Sequence, residues 1–348
     1  MQIKISFKNF FRHEEFLAAA LIFIYIFLSN LFTRQKLRCI KVNHAYLLAH
    51  KKYDKVLSDY YEYIVDLLEV QLVSVDLRGL LIFEVDEPPL ISRFLPIFKI
   101  SLQIEHTLVK YGARDSDSAM VGSIPTALGQ KNYLVRIAKL DYLLESDLIF
   151  EYSKINEENI KKVPELASYQ SKAFCISPAL YSIFPHSFDP SFRRRIGTIT
   201  MFGNPDEGRR KKFLQAIKNA GVVSENINNY FDGIEDLYRD TKIIINIRQT
   251  DHHDTLEELR ILPALRCGAL VISERAPLSH LTGYSKYVIW GDLSELPNLI
   301  LDVQANYEYW HQKIFGDPGF LKRMGRISKR NELLSLKALH QLSRRTFQ

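Results

Sequence analysis

Apolar and polar residues alternate most regularly in the carboxyl-terminal half of the chain. Short runs rich in apolar residues are followed by longer stretches in which apolar residues recur every three or four positions. Short apolar runs predict buried strands, and the longer periodic stretches predict amphipathic helices. The predicted strands lie at residues 196–202, 243–247, 269–272 and 287–290, and the predicted helices at residues 207–220, 234–240, 256–266 and 293–315. Strands and helices that alternate at this spacing are typical of a doubly wound parallel sheet.

The amino-terminal half is less regular but contains the same mixture of elements. A helix is predicted at residues 47–63, and strands at residues 70–75, 80–85, 98–105, 133–137, 147–152 and 173–176. Residues 111–129 are rich in Gly, Ser, Asp and Pro and predict a long loop. Pro178, Pro185 and Pro190 indicate a linker, and Pro297 is expected to interrupt the helix at residues 293–315.

These patterns predict an α/β protein with two domains and two terminal segments. An amino-terminal α/β domain is predicted at residues 38–185, and a Rossmann-like domain at residues 191–315. An apolar segment at residues 1–37 precedes them, and a helical tail at residues 316–348 follows.

The apolar segment permits two interpretations. Residues 16–32 contain no charged side chain, and basic residues lie on both sides. As a helix these residues would extend roughly 26 Å, which is at the short limit for crossing a bilayer. The segment is therefore either a membrane-embedded or membrane-surface helix, or a buried first helix of the globular protein.

Charge and cysteine content limit the cellular compartment and the kinds of binding partner that we expect for the protein. The net charge is +6, and basic residues cluster at residues 193–195, 209–212 and 322–345. Such clusters favour nucleic acid, an anionic membrane surface or a phosphorylated small molecule, and the chain contains no nucleic-acid-binding motif. The three cysteines Cys39, Cys175 and Cys267 lack paired spacing, which argues against a disulfide framework or a zinc site. We therefore expect a cytoplasmic protein that binds no nucleic acid.

Polar residues follow the predicted strands of the second domain. Gly203 follows the first strand, and Arg209 lies in the first turns of the next helix. A glycine turn that precedes a helix allows close approach of a phosphate, and a cation at a helix start is unfavourable unless it faces an anion or solvent. Ligands of open parallel sheets bind at the carboxyl ends of the strands. We therefore predict that Gly203 and Arg209 bind a diphosphate.

The second cluster follows the strand at residues 243–247. Asn246 lies near the end of that strand, and Asp254, Thr255, Glu258 and Arg260 begin the next helix. Capping of the helix start by Asp254 or Thr255, with a favourable dipole interaction for Glu258, is a complete structural explanation of the acidic residues. It leaves Arg260 unexplained, so we predict that this cluster binds the same ligand, with a carboxylate on its ribose.

Candidate catalytic residues lie in the first half. Glu105 and His106 close a predicted strand and open onto the long loop. A histidine beside a carboxylate at the edge of a cleft is a candidate general base, although a lone histidine is more often structural. His252 and His253 are adjacent residues without a third ligand at helical spacing, so we expect no metal site there.

The segments IGTITMFGNPDEGRRKKFLQAI, LYRDTKIIINI and HHDTLEELRILPALRCGALVISE carry a resemblance to a known family. Residues 190–315 resemble glycosyltransferases of the GT-B fold, in particular the spore-maturation-type, family-1-like members. The resemblance implies two Rossmann-like domains that face a cleft, with a nucleotide-sugar donor on the second and the acceptor on the first. It also implies hexosyl transfer without a metal cofactor, to a glycan or lipid-linked acceptor.

The chain departs from this family at one motif. Many retaining members carry two glutamates with seven residues between them, and these positions are Thr255 and Pro263 here. The stereochemistry of transfer therefore stays open. Two alternatives remain: a non-catalytic, membrane-associated module that binds nucleotides or glycans, and another nucleotide-sugar enzyme of similar fold. The absence of a G-x-G-x-x-G motif disfavours an NAD-dependent version of the latter.

Overall fold

The computed structural model describes the greater part of the chain as a mixed α/β protein. The described residues are 20, 24, 27, 37–50, 57–85, 97–104, 108–110, 118–124, 133–138, 140–203, 205–206, 208–228, 233–248 and 256–346. They form two compact units. The first unit comprises Met1–Gln103, Asp141–Phe150 and Glu332–Gln348, and the second comprises Ile104–Leu140 and Glu151–Asn331.

The elements are numbered here in chain order. The strands are β1 Leu37–Val42, β2 Ala45–His50, β3 Gly79–Glu84, β4 Ile97–Gln103, β5 Leu108–Lys110, β6 Ser118–Ile124, β7 Tyr133–Ala138, β8 Leu148–Glu151, β9 Ala173–Cys175, β10 Ile196–Thr200, β11 Glu225–Asn226, β12 Thr241–Asn246, β13 Leu270–Glu274 and β14 Ile289–Gly291. The α-helices are α1 Ser58–Leu72, α2 Leu140–Glu145, α3 Lys154–Ile160, α4 Ala167–Gln170, α5 Gly208–Asn219, α6 Ile234–Asp240, α7 Glu258–Arg266, α8 Leu296–Ala305, α9 Tyr307–Phe315 and α10 Gly319–Thr346.

The first unit contains a sheet with the strand order β1-β2-β3-β4-β8. β1 and β2 form an antiparallel hairpin, whereas β2, β3 and β4 are parallel. Leu47, Leu48 and Ala49 of β2 have no exposed surface, as expected for an inner strand. Tyr61, Ile64 and Leu68 form part of the buried face of α1 at helical spacing.

Two predictions for the first half are wrong. Within the helix predicted at residues 47–63, residues 47–50 belong to the strand β2, and α1 begins at Ser58. The strand predicted at residues 70–75 includes the last turn of α1, and Val70 and Val73 are each 64% exposed. A short apolar run is too short to show whether its apolar residues repeat as in a buried strand or as in a helix. The elements packed around it therefore determine which of the two structures it adopts.

The predicted loop at residues 111–129 is also partly wrong. Its middle forms β6, which pairs antiparallel with β7 in a three-stranded sheet with the order β5-β7-β6. A register shift between Val121 and Ser123 marks a bulge in β6. A bulge accommodates a glycine such as Gly122 inside a strand. A segment with the composition of a loop can therefore form the strand β6.

The second unit confirms the parallel sheet predicted from the sequence. Its five-stranded sheet has the order β11-β10-β12-β13-β14, and every neighbouring pair is parallel. α5, α6 and α7 lie in the connections between successive strands from β10 to β13, as parallel pairing requires. Ile243–Ile245 and Leu270–Ile272 are almost completely buried. The short edge strand β11 carries too little apolar sequence to have been predicted.

The helix predicted at residues 293–315 is interrupted at a different place from the one predicted. α8 and α9 meet at Asn306, whereas Pro297 lies in the first turn of α8. A proline in the first turn removes no helical hydrogen bond, because the first N–H groups have no partner within the helix. Pro263, in contrast, lies inside α7.

Gly268, two residues after the end of α7, lies close to the side chain of Arg194 and the backbone of Ser187. It adopts a left-handed backbone conformation with φ of +81°, and a Cβ there would lie 2.5 Å from both Arg194 Nη2 and the Ser187 carbonyl oxygen. Arg194 is buried and donates to the carbonyls of Ser187 at 2.6 Å and of Cys267 at 3.3 Å. The glycine therefore makes room for a buried guanidinium that binds the surrounding backbone.

The amino-terminal apolar segment at residues 16–32 lies almost wholly outside the described residues. Within the part of the chain that the structure describes, no helix combines the length and the apolar character that crossing a membrane requires.

Candidate functional site

The carboxyl ends of β10, β12 and β13, called here the carboxyl edge, carry a cluster of arginines around one carboxylate. Glu274 is the last residue of β13, and both of its oxygens accept hydrogen bonds from Arg209 of α5, each at 2.5 Å. Arg248, two residues after β12, donates to Glu274 through Nη2 at 2.5 Å and through its backbone N–H at 3.2 Å. The two hydrogen bonds from Arg209 to the two oxygens of Glu274 form a bidentate contact, which is the strong form of an arginine–carboxylate pair.

Glu274 is ionised at every physiological pH. Its burial raises the pKa of the carboxyl group, but the hydrogen bonds from Arg209 and Arg248 outweigh burial and lower the pKa to about 2. The side chains of Arg209 and Glu274 are only 8% and 4% exposed. The carboxylate therefore fixes the positions of two guanidinium groups at the carboxyl edge.

A second set of hydrogen bonds continues along this edge. Arg260 Nη1 donates to Asn246 Oδ1 at 2.8 Å, and Asn246 Nδ2 donates to Ser273 Oγ at 3.0 Å. Asn246 and Ser273 are directly opposite each other in the pairing of β12 with β13. Because Ser273 precedes Glu274, the strand pairing joins the Arg260 contact to the arginine–carboxylate cluster.

Gly203 lies beyond the end of β10 in open surroundings. A Cβ at this position would have no neighbour within 4 Å. The turn is held from the other side by Asn226, whose side-chain oxygen accepts from Thr200 Oγ1 at 2.8 Å and from the Phe202 N–H at 2.9 Å. The backbone at Gly203 is thus accessible at the carboxyl edge.

The predicted site residues divide into three groups. Gly203, Arg209, Asn246 and Arg260 lie at the carboxyl edge. Asp254, Thr255, Glu105 and His106 lie outside the described residues, so their roles stay predictions. Glu258 is described but is directed into the protein.

Glu258 begins α7 and is completely buried. Its oxygens accept hydrogen bonds from Ser153 Oγ at 2.5 Å and from the Tyr284 hydroxyl at 2.9 Å. A ribose could reach this carboxylate only if the surrounding side chains moved. The described contacts therefore give Glu258 a structural role, and its predicted ribose contact lacks geometric support.

A second buried carboxyl group belongs to the same region. Glu151 accepts hydrogen bonds from Asn156 Nδ2 at 2.9 Å, from the Ser153 N–H at 3.2 Å and from the Tyr169 hydroxyl at 3.2 Å. Burial is the main reason that its pKa rises to about 8, and the charge of Glu258 adds to the rise. The three hydrogen bonds favour the ionised form, but burial outweighs them, so the raised pKa favours a protonated carboxyl group at neutral pH.

Glu151 predicts a pH dependence of stability. Below about pH 4.5 it is protonated in both the folded and the unfolded chain, and as the pH rises toward about 8 only the unfolded chain ionises. Its contribution to stability is therefore lost between about pH 4.5 and about pH 8. Since one pKa unit between the two states is about 1.4 kcal/mol, Glu151→Gln should reduce this loss by at least that amount.

Urea unfolding of both proteins at several pH values measures the effect. Glu157→Gln is the control, because burial raises the pKa of Glu157 but hydrogen bonds from Lys154 and Lys161 lower it overall, so it has no transition in this window. An equal pH dependence for wild type and Glu151→Gln would contradict the assignment.

Arg248, Ser273 and Glu274 are components of the site that the sequence patterns do not single out as individual residues, although Arg248 lies in the loop at residues 246–254 that is predicted to line it. A detectable signal existed for Glu274, a charged residue at the end of a buried apolar strand, because charged residues are rarely buried unless paired. Nothing in the sequence indicated that its partners would be Arg209 and Arg248, which lie 65 and 26 residues away.

Possible metal ligands and thiols are dispersed among the described side chains. Among those residues, no group of three or more His, Cys, Asp or Glu side chains is placed to hold a metal ion. All three cysteines are free, and burial raises the pKa of Cys267 to about 12. Cys267 is therefore a poor nucleophile.

Comparison with known proteins gives distant similarities. The sequence matches no family model. It is 27% identical over 120 residues to an uncharacterized protein of Acanthamoeba polyphaga mimivirus, and the match covers 33% of this chain and 42% of that protein. The matched part of the chain thus spans less than half the length of this relative.

Two solved structures are similar to this chain at low sequence identity. One is a glycosyltransferase from Rickettsia africae, 12% identical with a TM-score of 0.33 over 83% of this chain and 84% of that chain. The other is an alpha-glucosyltransferase in complex with UDP-glucose and DNA containing an abasic site, 13% identical with a TM-score of 0.33 over 81% and 80%. At these TM-scores neither neighbour determines the function of this chain.

Proposed function

We propose that the second unit binds a nucleotide-sugar donor by its diphosphate at the carboxyl edge, and that the protein transfers the sugar to an acceptor. The observation that carries this proposal is the gathering of Arg209, Arg248 and Arg260 around the ends of β12 and β13, where one carboxylate, Glu274, orders two of them. The resemblance of residues 190–315 to GT-B glycosyltransferases agrees with this proposal.

The charges at this edge suit a leaving diphosphate. Guanidinium groups bind phosphate oxygens in the same forked geometry in which they bind carboxylates. Guanidinium groups held in place before the reaction stabilise the charge that develops on a leaving group without further reorganisation. Glu274 is thus a positioning residue, which aligns Arg209 and Arg248.

Other residues would complete the donor site and activate the acceptor. Gly203 would admit a phosphate to the backbone, and Asp254 and Thr255 would complete the donor site. Glu105 and His106 would activate the acceptor, which we propose to be a glycan or a lipid-linked molecule. Hexosyl transfer would proceed without a metal, because arginines perform the electrostatic role.

Thermal unfolding with a panel of nucleotide-sugars tests the donor site. A ligand that binds only the folded state raises the Tm, so one or more of the UDP-, GDP-, dTDP- and CMP-sugars should raise it. Release of the nucleoside diphosphate, or of CMP from a CMP-sugar, is then measured with glycan, lipid-linked and abasic-site DNA acceptors. Binding without release would identify a non-catalytic binding module, and no shift with any nucleotide-sugar would refute the donor site.

Removal of individual arginines should weaken donor binding. Charge-assisted hydrogen bonds contribute about 1.5–3 kcal/mol, so Arg209→Ala, Arg248→Ala and Arg260→Ala should each raise the donor Kd roughly ten- to a hundredfold. Calorimetric titration measures the Kd.

Arg195→Ala is the matched control for this series. It removes the same charge from a side chain that is 78% exposed and paired with Asp240, at the opposite end of the sheet. Its donor affinity should equal that of the wild type. Wild-type affinity in all three edge variants, with unchanged Tm, would exclude the arginine cluster from donor binding.

A further inference from the structure

We propose that the second unit has another binding site, for a neutral sugar ring, at the amino ends of β10 and β12. A cavity of about 400 Å³ opens there and is lined by residues that include Gly197, Val223, Glu225, Lys242, Gln304 and Tyr307. This volume lies in the range of ~300–1,000 Å³ that small-molecule sites occupy. The arginine cluster lies at the other end of the same strands, so the two sites are distinct.

The glycine that lines this cavity is the first sign of a ligand. Gly197 is the second residue of β10, it is exposed, and it does not adopt a left-handed conformation. A Cβ there would meet no atom within 4 Å. Neither the backbone nor the packing therefore requires glycine, which weakens a strand. Glycine inside a strand often marks the close approach of a ligand.

The walls of the cavity combine aromatic and aliphatic surface. The ring of Tyr307 forms one wall, and the Lys242 ammonium lies 5.3 Å from its centroid. Val223 is 82% exposed at the rim. Small-molecule sites typically pair such apolar surface with a few placed polar groups. The flat C–H face of a sugar ring suits this surface.

The polar groups match hydroxyls better than they match phosphate. Gln304 Nε2 donates to Thr198 Oγ1 at 2.6 Å and to the Val223 carbonyl at 2.9 Å, which fixes its amide at the wall. Lys242 supplies donors and Glu225 supplies acceptors. Because their charges balance, the site favours an uncharged ligand that both donates and accepts hydrogen bonds. This combination distinguishes the cavity from the cationic carboxyl edge.

Saturation-transfer NMR on the full chain tests the site with methyl glycosides of glucose, galactose, mannose and N-acetylglucosamine. At least one should bind the wild type saturably at millimolar concentration. Gly197→Ile places a side chain that strands favour into the cavity and should raise the Kd about tenfold or more, a loss of about 1.4 kcal/mol. Gly197→Ala adds one methyl group and should have a smaller effect.

The controls separate this site from the donor site. Gly197→Ile should keep the wild-type Tm and the wild-type response to nucleotide-sugars, since the carboxyl edge is untouched. Lys242→Met, which removes a polar wall group without filling the cavity, should also weaken binding and serves if Gly197→Ile does not fold. Absence of binding by all four glycosides, or wild-type affinity in the folded variants, would overturn the proposal whatever the outcome at the donor site.

Discussion

Gly268→Ala is expected to destabilise the protein by about 2–5 kcal/mol. A left-handed conformation costs a residue with a Cβ roughly 1–2 kcal/mol, and forcing atoms into a packed interior adds roughly 1–3 kcal/mol. Both conditions hold at Gly268, where φ is +81° and a Cβ would lie 2.5 Å from Arg194 Nη2 and the Ser187 carbonyl. Arg194 cannot withdraw cheaply, because it binds the backbone around it.

Gly221→Ala separates the two contributions. Gly221 has a φ of +84°, but a Cβ there would have no neighbour within 4 Å. This variant should therefore show the conformational cost alone, about 1–2 kcal/mol. Both substitutions change the unfolded chain in the same way, so the difference between them isolates the clash. If urea titration gave the same loss of unfolding free energy for Gly268→Ala and Gly221→Ala, Arg194 and Ser187 would be able to move away from the added methyl group without an energetic cost.

His106→Ala or Glu105→Gln is expected to lower the turnover number far more than it weakens donor binding. Loss of a general base typically reduces the rate by roughly 10²–10⁴-fold. In the sequence, the two residues follow β4 and precede the Gly-, Ser- and Asp-rich residues 111–129, of which residues 118–124 form β6. Their predicted role in activating an acceptor rests on this placement. Steady-state kinetics with the donor varied separates kcat from donor affinity.

The Tm of each variant is the control, because a histidine is more often structural than catalytic. A variant that melts normally and turns over at the wild-type rate removes that residue from the mechanism and leaves the donor site intact. Asp115 and Asp117, which follow shortly afterwards in the sequence, would then be the next candidates.

The parallel sheet of the second unit was predictable because its inner strands are buried on both faces. Ile243–Ile245 and Leu270–Ile272 are continuous apolar runs, and glycines or polar residues separate them from the helices. A continuous apolar run that is followed by a helical pattern is best explained as a strand of a parallel sheet that is covered on both faces. The strand β2 of the first unit was harder to predict, because residues 45–50 fit either a strand or a helix by composition.

The candidate site was predictable in position but not in contacts. The carboxyl ends of parallel strands meet at one edge, so the location of Arg209, Asn246 and Arg260 followed from the strand assignments. Which side chains would pair did not follow. Glu258 illustrates the difficulty, since a glutamate at a helix start permits a cap, a ligand contact or a buried hydrogen bond, and Ser153, 105 residues away, decides among them.

The separation of the charged partners in sequence has a consequence for how the protein is made. Arg209 meets Glu274 across 65 residues, and Arg248 meets the same carboxylate across 26 residues. During synthesis the two arginines leave the ribosome before the carboxylate that orders them, and contacts between distant residues form slowly. A nascent or prematurely terminated chain that ends before Glu274 therefore lacks the ordered cation pair, so the capacity to hold an anion there should appear only after β13 has joined the sheet.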